Sequence, residues 1–217
     1  MLIEQRSKEW FNIRKGKITS SEVHKIMGEG KGKEVLTDTA KTYLLEKISE
    51  SLGGFTTLAT GAAIEWGTEL EELACKVYAE KTNVTVDKAS FIVYNDNYGG
   101  SPDGIVAPDG VIEIKCPYVS ANHFKHGLIK TAADLKKVAP AYYYQCISNM
   151  LCANAKWCDF ISFDPRVDEC CNMYIFRLER DETEIDNMKN KIETAAKYLI
   201  ELKNKLQFPT NSVDVAE

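Results

Sequence analysis

The segment from Ser101 to Pro117, SPDGIVAPDGVIEIKCP, constrains the fold more than any other part of this chain. Two short runs rich in β-branched residues, Gly104 to Ala107 and Val111 to Cys116, flank Pro108-Asp109-Gly110. A turn of that composition between two apolar runs predicts a hairpin. Strand side chains alternate between faces, so Glu113 and Lys115 share one face while Ile112 and Ile114 point the other way, into a core. Folding back at the turn brings Asp103 within a few residues of Glu113 in the pairing. Two carboxylates and a lysine are thus expected at one place, with Asp109 left out because it belongs to the turn.

The elements around the hairpin follow from periodicity. A short helix is expected around Trp10 to Arg14, then a break at Gly16 and a second helix started by Ser20 and Ser21, with Val23, Ile26 and Met27 on one face. Further helices are expected at 38–50 and from Ile64 to Lys81, the latter burying Leu70, Leu73, Ala74 and Val77. Ser51 to Ala63 between them reads as a loop. The period then shortens to that of strands, first at Phe91 to Tyr94 and then, after the turn-like NDNYGG, at the hairpin. Residues 120–138 and the segment from Pro140 read as helices, Lys156 to Phe163 and Asn172 to Leu178 as strands joined by DPRVDEC, and Asp181 to Leu206 as an amphipathic helix. The expected architecture is mixed α/β, of the α+β kind, with a central mixed β-sheet flanked by helices. One domain is expected over 1–217: N-terminal helices in 7–81, sheet and helices in 88–178, and a C-terminal helix at 181–206.

Composition excludes several functions. With 217 residues, 44% of them apolar, the chain is long enough to build a core without covalent staples. Lys and Arg number 27 against 32 Asp and Glu, so the net charge of −5 rules out a surface coated in basic charge but not a local basic groove. An odd set of seven scattered cysteines predicts free, reduced thiols, and the absence of CxxC disfavours an iron–sulfur cluster. GEGKGKE, Gly28 to Glu34, is a basic loop that fails the phosphate-loop pattern. His123 and His126 lack partners for a zinc site and read as a surface pair. No run is long enough to span a membrane and the first residues lack a signal-peptide layout, so a cytoplasmic protein is expected.

The converging charges suggest a chemistry. Two neighbouring carboxylates remain ionised comfortably only with a cation between them, and such oxygen ligands suit Mg²⁺, or Mn²⁺ in its place. Such an ion activates water and stabilises charge growing on a phosphodiester, and Lys115 would orient that water or neutralise the phosphate.

SPDG followed by IEIKCP resembles the PD-(D/E)xK nuclease signature, and with Cys116-Pro117 it resembles the lambda exonuclease, or YqaJ-type viral recombinase, branch. Other matches come in that branch's order: WFNIRKGKITSSE near the start, WGTELE before the sheet and AYYYQ after it. Many RecB-type relatives carry a tyrosine four residues after the glutamine; Asn149 in that place favours the phage exonuclease branch.

The resemblance implies a restriction-endonuclease-like core. It implies that Asp103 and Glu113 are metal ligands, with the backbone carbonyl of Ile114 and Glu71 completing the set, and that two ions occupy each site. It further implies that Lys115 handles the nucleophilic water, that Gln145 is an active-site glutamine, and that Arg14, Ser21 and Ser101 hold a 5′-phosphate. An arginine fork with hydroxyl donors is a sensible anion site. Ile64 falls where a relative places an apolar wedge, although its own pattern reads as buried core.

The implied activity is 5′→3′ hydrolysis from double-stranded DNA ends, releasing 5′-mononucleotides and leaving 3′ single strands. The implied partners are double-stranded DNA, two further copies in a ring-shaped homotrimer, and a single-strand annealing protein of a phage or prophage recombination system. Lys15, Lys17, Lys31 and Lys33 are candidates for the inner wall of such a ring. Two rivals share the fold: an endonuclease or junction-cleaving enzyme, disfavoured by the Arg14 and Ser21 motif, and an inactive DNA-binding module, disfavoured by the intact Asp103, Glu113 and Lys115.

Overall fold

A computed structural model describes residues 3–31, 34–54 and 61–207. Among them the chain forms α1 (Lys8–Arg14), β1 (Ile18–Thr19), a 3-10 helix (Ser20–Ile26), α2 (Asp38–Ser51) and α3 (Ala62–Thr82). The strands β2 (Ile92–Asn95), β3 (Tyr98–Gly100), β4 (Gly104–Val106) and β5 (Gly110–Lys115) follow. The remainder is α4 (Ser120–Gly127), α5 (Ala132–Val138), α6 (Pro140–Ala153), β6 (Trp157–Phe163), a 3-10 turn (Glu169–Cys171), β7 (Met173–Glu179) and α7 (Glu182–Gln207). Of the expected Ser51 to Ala63 loop, residues 55–60 lie outside the described residues, as does Lys33.

The hairpin forms in the expected register. Gly104 pairs with Ile112 and Val106 with Gly110, which sets Asp103 opposite Glu113. Asp109 sits in the turn, its carboxylate 2.9 Å from Lys156 Nζ. The hairpin is one edge of a mixed four-stranded sheet, β4-β5-β6-β7, in which β5 and β6 are parallel and the outer pairs antiparallel. Helices cover both faces of this sheet. Ile112, Ile114, Ile161 and Phe163 pack against Ala74 and Tyr78 of α3, while Val111, Cys158, Phe160 and Leu178 join the larger core made with the N-terminal segment, α2, α6 and α7. Removing each such aliphatic or aromatic side chain from water contributes about 1.5–3 kcal/mol, so the strand in between is held from both sides.

Several local expectations need correction. The sheet is not single: β1, β3 and β2 form a separate three-stranded sheet, and β3 lies inside the NDNYGG segment expected to be a turn. Strands of two and three residues are too short to show alternation, and β3 approaches α6 closely because Gly100 has no side chain; a Cβ there would stand 3.1 Å from Cys152 Sγ and 3.2 Å from Asn149 Oδ1. Residues 120–138 hold two helices, because Thr131 and Asp134 cap each other's backbone N–H at the start of α5. The segment after Gly16 is a 3-10 helix without a side-chain cap; Ser20 is buried instead, its hydroxyl accepting from Ser148 Oγ at 2.6 Å.

On α3 the buried residues are Ala74 and Tyr78, whereas Leu73 is 44% exposed. Tyr78 donates to buried Asp159 at 2.7 Å, which fixes the rotation of the helix. Ile64 is likewise exposed rather than core. His123 and His126 are buried, not a surface pair: Nδ1 of each lies 2.9–3.0 Å from Ser162 Oγ, and His123 Nε2 lies 2.8 Å from the Cys171 carbonyl oxygen. The face of α7 read from its spacing is buried through Ile185, Met188, Ile192, Ala195 and Leu199, and all seven cysteines are free. Among the described residues no helix is long and apolar enough to cross a membrane.

Candidate active site

Alternation on β5 puts Glu113 on the α6 side of the sheet, where it is fully buried. Its two oxygens are held separately. Lys115 Nζ donates to Oε1 at 2.5 Å, and Asn149 Nδ2, from α6, donates to Oε2 at 2.7 Å. Asp103, entering β4, accepts from the Ile114 N–H at 2.6 Å through Oδ2. Lys115 also lies over the Tyr142 ring, 4.9 Å from its centroid, and Tyr142 stacks on Phe160. The ammonium is therefore fixed by a carboxylate on one side and an aromatic face on another.

The electrostatics are those of crowded negative charge. Burial, then Glu113, then Glu71 hold the Asp103 carboxyl well above its usual range, and burial raises Glu113 against the opposing pull of Lys115. Burial lowers the affinity of Lys115 for its proton, but Glu113 and Asp103 more than offset this, so the ammonium stays charged. In this arrangement it is a cation and a hydrogen-bond donor. Glu71 reaches the same region from α3, with Arg6 Nη2 at 2.5 Å from its carboxylate. Glu71, Arg6 and Asp103 line a cavity of about 380 Å³ that opens beside the hairpin.

The donor set fits a hard divalent ion. Among the described residues no three His, Cys, Asp or Glu side chains already form a closed cluster. Mg²⁺ asks for less, taking one or two carboxylates and completing its shell with water and phosphate oxygens. The raised Asp103 and Glu113 are the state that a bound cation relieves.

A second polar group is built around Trp10. The indole N–H donates to Ser101 Oγ at 2.9 Å, and the Arg14 guanidinium lies 3.9 Å above the same ring. Burial pulls Arg14 down to about 10, with Tyr43, Glu22 and Glu50 acting in the opposite sense. Among the described residues Arg14 has no ion-pair partner within salt-bridge distance, and Ser21 Oγ lies 3.3 Å from Thr19 Oγ1. Gln145 is buried on α6, one turn before Asn149 and on the same side of the helix.

Residues 9–156 match the model of the YqaJ-like viral recombinase domain. The chain belongs to this family. Members of the YqaJ-like, lambda exonuclease-like family are DNA nucleases, and the chain is accordingly a phosphodiester hydrolase. Its fold is similar to that of an alkaline exonuclease from Laribacter hongkongensis, with 30% identity and a TM-score of 0.80 over 93% of this chain and 96% of that one. A structure of the same exonuclease in complex with dAMP gives 30% identity and a TM-score of 0.79 over the same shares. A phage-related exonuclease from Haemophilus somnus 129PT, 22% identical with a TM-score of 0.75 over 88% and 96%, shares the fold. No curated protein matches the sequence.

In this YqaJ-like chain the structure thus brings Asp103, Glu113 and Lys115 together, sets Glu71 close to them, and joins Arg14 to Ser101 through Trp10. Sequence reasoning missed two members. Asn149 served there only to separate family branches, yet it bonds Glu113; its signal was its place four residues after Gln145. Trp10 went unread as a site residue, and its spacing of four from Arg14, which stacks ring on guanidinium within one helix, could have shown it.

Proposed function

We propose that this protein is a metal-dependent 5′→3′ exonuclease that enters at double-stranded DNA ends, releases 5′-mononucleotides and leaves 3′ single strands for recombination by strand annealing. The observation that carries the reading is the pairing of two distinct polar groups: a carboxylate–lysine set suited to hydrolysis, and a desolvated Arg14 that has no ion-pair partner among the described residues and is joined through Trp10 to Ser101, suited to a terminal phosphate. An endonuclease needs the first and has no use for the second.

Asp103 and Glu113, with Glu71 and the Ile114 carbonyl, would hold Mg²⁺, with Mn²⁺ as the alternative and two ions as the full complement. The metal supplies Lewis acidity toward the scissile phosphate and a lowered pKa for water. Lys115, kept protonated, orients the attacking water and neutralises phosphate charge. Asn149 holds the Glu113 carboxylate in place, and Gln145 on the same face of α6 contributes a polar amide to the substrate phosphate.

Water attacks phosphorus in line, and the bond to the 3′ oxygen of the terminal nucleotide breaks. The products are a 5′-mononucleotide and a strand with a new 5′-phosphate. That new end is again a ligand for Arg14, Ser21 and Ser101, so each turnover regenerates its own recognition element. The relative solved with dAMP, itself a mononucleotide, agrees with such a product. A homotrimer around the duplex and a single-strand annealing protein as partner complete the proposal, and the family's description as a viral recombinase domain agrees with the role in recombination.

The test is the substitution Arg14→Ala. It is expected to slow digestion of 5′-phosphorylated ends to the rate of 5′-hydroxyl ends, while the latter rate is unchanged. Equal slowing on both substrates would contradict the phosphate pocket.

A further inference from the structure

Against the segment that carries Arg14 and Ser21 lies a partly buried ion cluster that the hydrolytic site does not use. Lys47 of α2 has a side chain only 9% exposed, and its Nζ stands 2.8 Å from Glu50 and 3.2 Å from Glu22. Lys25 joins Glu22 at 2.8 Å, and both ammonium groups face the buried Tyr43 ring, at 4.8 Å for Lys25 and 5.2 Å for Lys47. Burying charges costs desolvation that rivals their attraction, and apolar residues of similar volume stabilise a core as well or better. Stability is therefore a poor reason for this arrangement.

Its contacts are more specific. The free oxygen of Glu50 accepts the Gly16 N–H at 3.0 Å, and the Tyr43 hydroxyl accepts the Thr19 N–H at 3.3 Å. Those amides lie two residues after Arg14 and two before Ser21. Gly16 has φ +73°, and a Cβ there would stand 2.8 Å from Ser51 Cβ, so the turn rests against the end of α2 in a conformation that suits glycine. One face of α2 thus grips both ends of the segment that connects the two groups. The cluster also ties Glu22 and Glu50 to lysines, so that an arriving phosphate meets the Arg14 guanidinium and not free carboxylates.

We infer that Tyr43, Lys47 and Glu50, with Glu22, are positioning residues that set the spacing of Arg14 and Ser21 for a terminal phosphomonoester. The inference rests on the exonuclease reading of that pocket and identifies what makes it selective for a charged 5′ end.

The experiment compares initial rates on linear duplexes with 5′-phosphate or 5′-hydroxyl ends, in Mg²⁺, for the wild type and for Glu50→Ala, Glu50→Gln and Tyr43→Phe. Misplacing binding groups by an ångström costs up to about a hundredfold, so Glu50→Ala is expected to cut the phosphate preference by about tenfold or more. The loss should appear as a raised KM on phosphate ends, with the 5′-hydroxyl rate unchanged and Glu50→Gln, which still accepts an N–H, restoring much of it. Tyr43→Phe removes one hydroxyl and provides the same reading should Glu50→Ala fail to fold. Wild-type preference that persists in Glu50→Ala and Tyr43→Phe, or rates that fall equally on both ends, would overturn this inference alone. A wild type without any preference would overturn the pocket and the inference together.

Discussion

At Glu113 a carboxylate lies fully buried between an ammonium and an amide, and what those two donors do is the most testable statement at the residue scale. Replacing Lys115 by Ala removes the only charge of the donor pair. Glu113, already raised by burial, then takes up a proton instead of remaining an unpaired anion, so the fold survives. We expect Lys115→Ala to lower cleavage by about a thousandfold, the size of effect seen when a preorganised electrostatic donor is lost, with near-native circular dichroism. Retained activity would remove Lys115 from the site. Asn149→Ala leaves one Glu113 oxygen unsatisfied, a cost of about 1–3 kcal/mol, and is expected to reduce the rate without moving the 5′-phosphate preference. A change in that preference would contradict the separation of the two polar groups. Asp103, Glu113 and Lys115 are legible from sequence because alternation and a turn are local rules, whereas the Asn149 contact spans 36 residues and is visible only once α6 is docked.

The same divide between local and long-range cause holds for the elements. β5, β6, β7 and α7 follow from composition, because each has enough residues to display its period, and β4, only three residues long, follows from the turn that folds it onto β5. β1 and β3 do not: they are held by pairing across some eighty positions, Ile18 against Tyr98 and Thr19 against Gly99, and carry no pattern of their own. α4 forms where a helix is expected, but its histidines are buried instead of exposed, since a histidine pair three residues apart has no fixed address until Ser162 and the Cys171 carbonyl satisfy its rings.

Docking α4 carries a pH dependence. His126 is pulled down to about 4 by burial first, then by His123, Lys115 and Lys125. A base whose folded pKa is depressed binds fewer protons than the unfolded chain between the two values. Stability is therefore full above the ordinary histidine range and is lost as pH falls from about 6.5 towards 4, by something on the order of 2 kcal/mol. Urea midpoints measured at neutral pH and at pH near 4.5 should show the fall, and His126→Asn should flatten it. An equal slope in the variant would assign the effect to another group.

For the whole molecule the question is how a chain of net charge −5 handles DNA. Glu113, Asp159 and Asp164 are each buried and held by a cation, so these carboxylates do not confront an arriving phosphate as unpaired charge. Binding through phosphate contacts releases counterions, so affinity for duplex ends is expected to fall steeply with salt; an affinity independent of salt would contradict this mode. Light scattering of the purified protein should give three times the 24.4 kDa chain mass, and a monomer in the presence of DNA would refute the ring. The sequence contains the family's motifs in order, but oligomer geometry depends on surfaces contributed by separate elements and has no contiguous signature.

The most direct measurement of the central claim is digestion in Mg²⁺ of linear duplex DNA carrying 5′-phosphate or 5′-hydroxyl ends, with closed circular DNA alongside. The account predicts rapid release of mononucleotides from the phosphorylated linear strand, slower release from the hydroxyl end, and an intact circle. Cleavage of the closed circle, or no cleavage of any substrate with either Mg²⁺ or Mn²⁺, would contradict it.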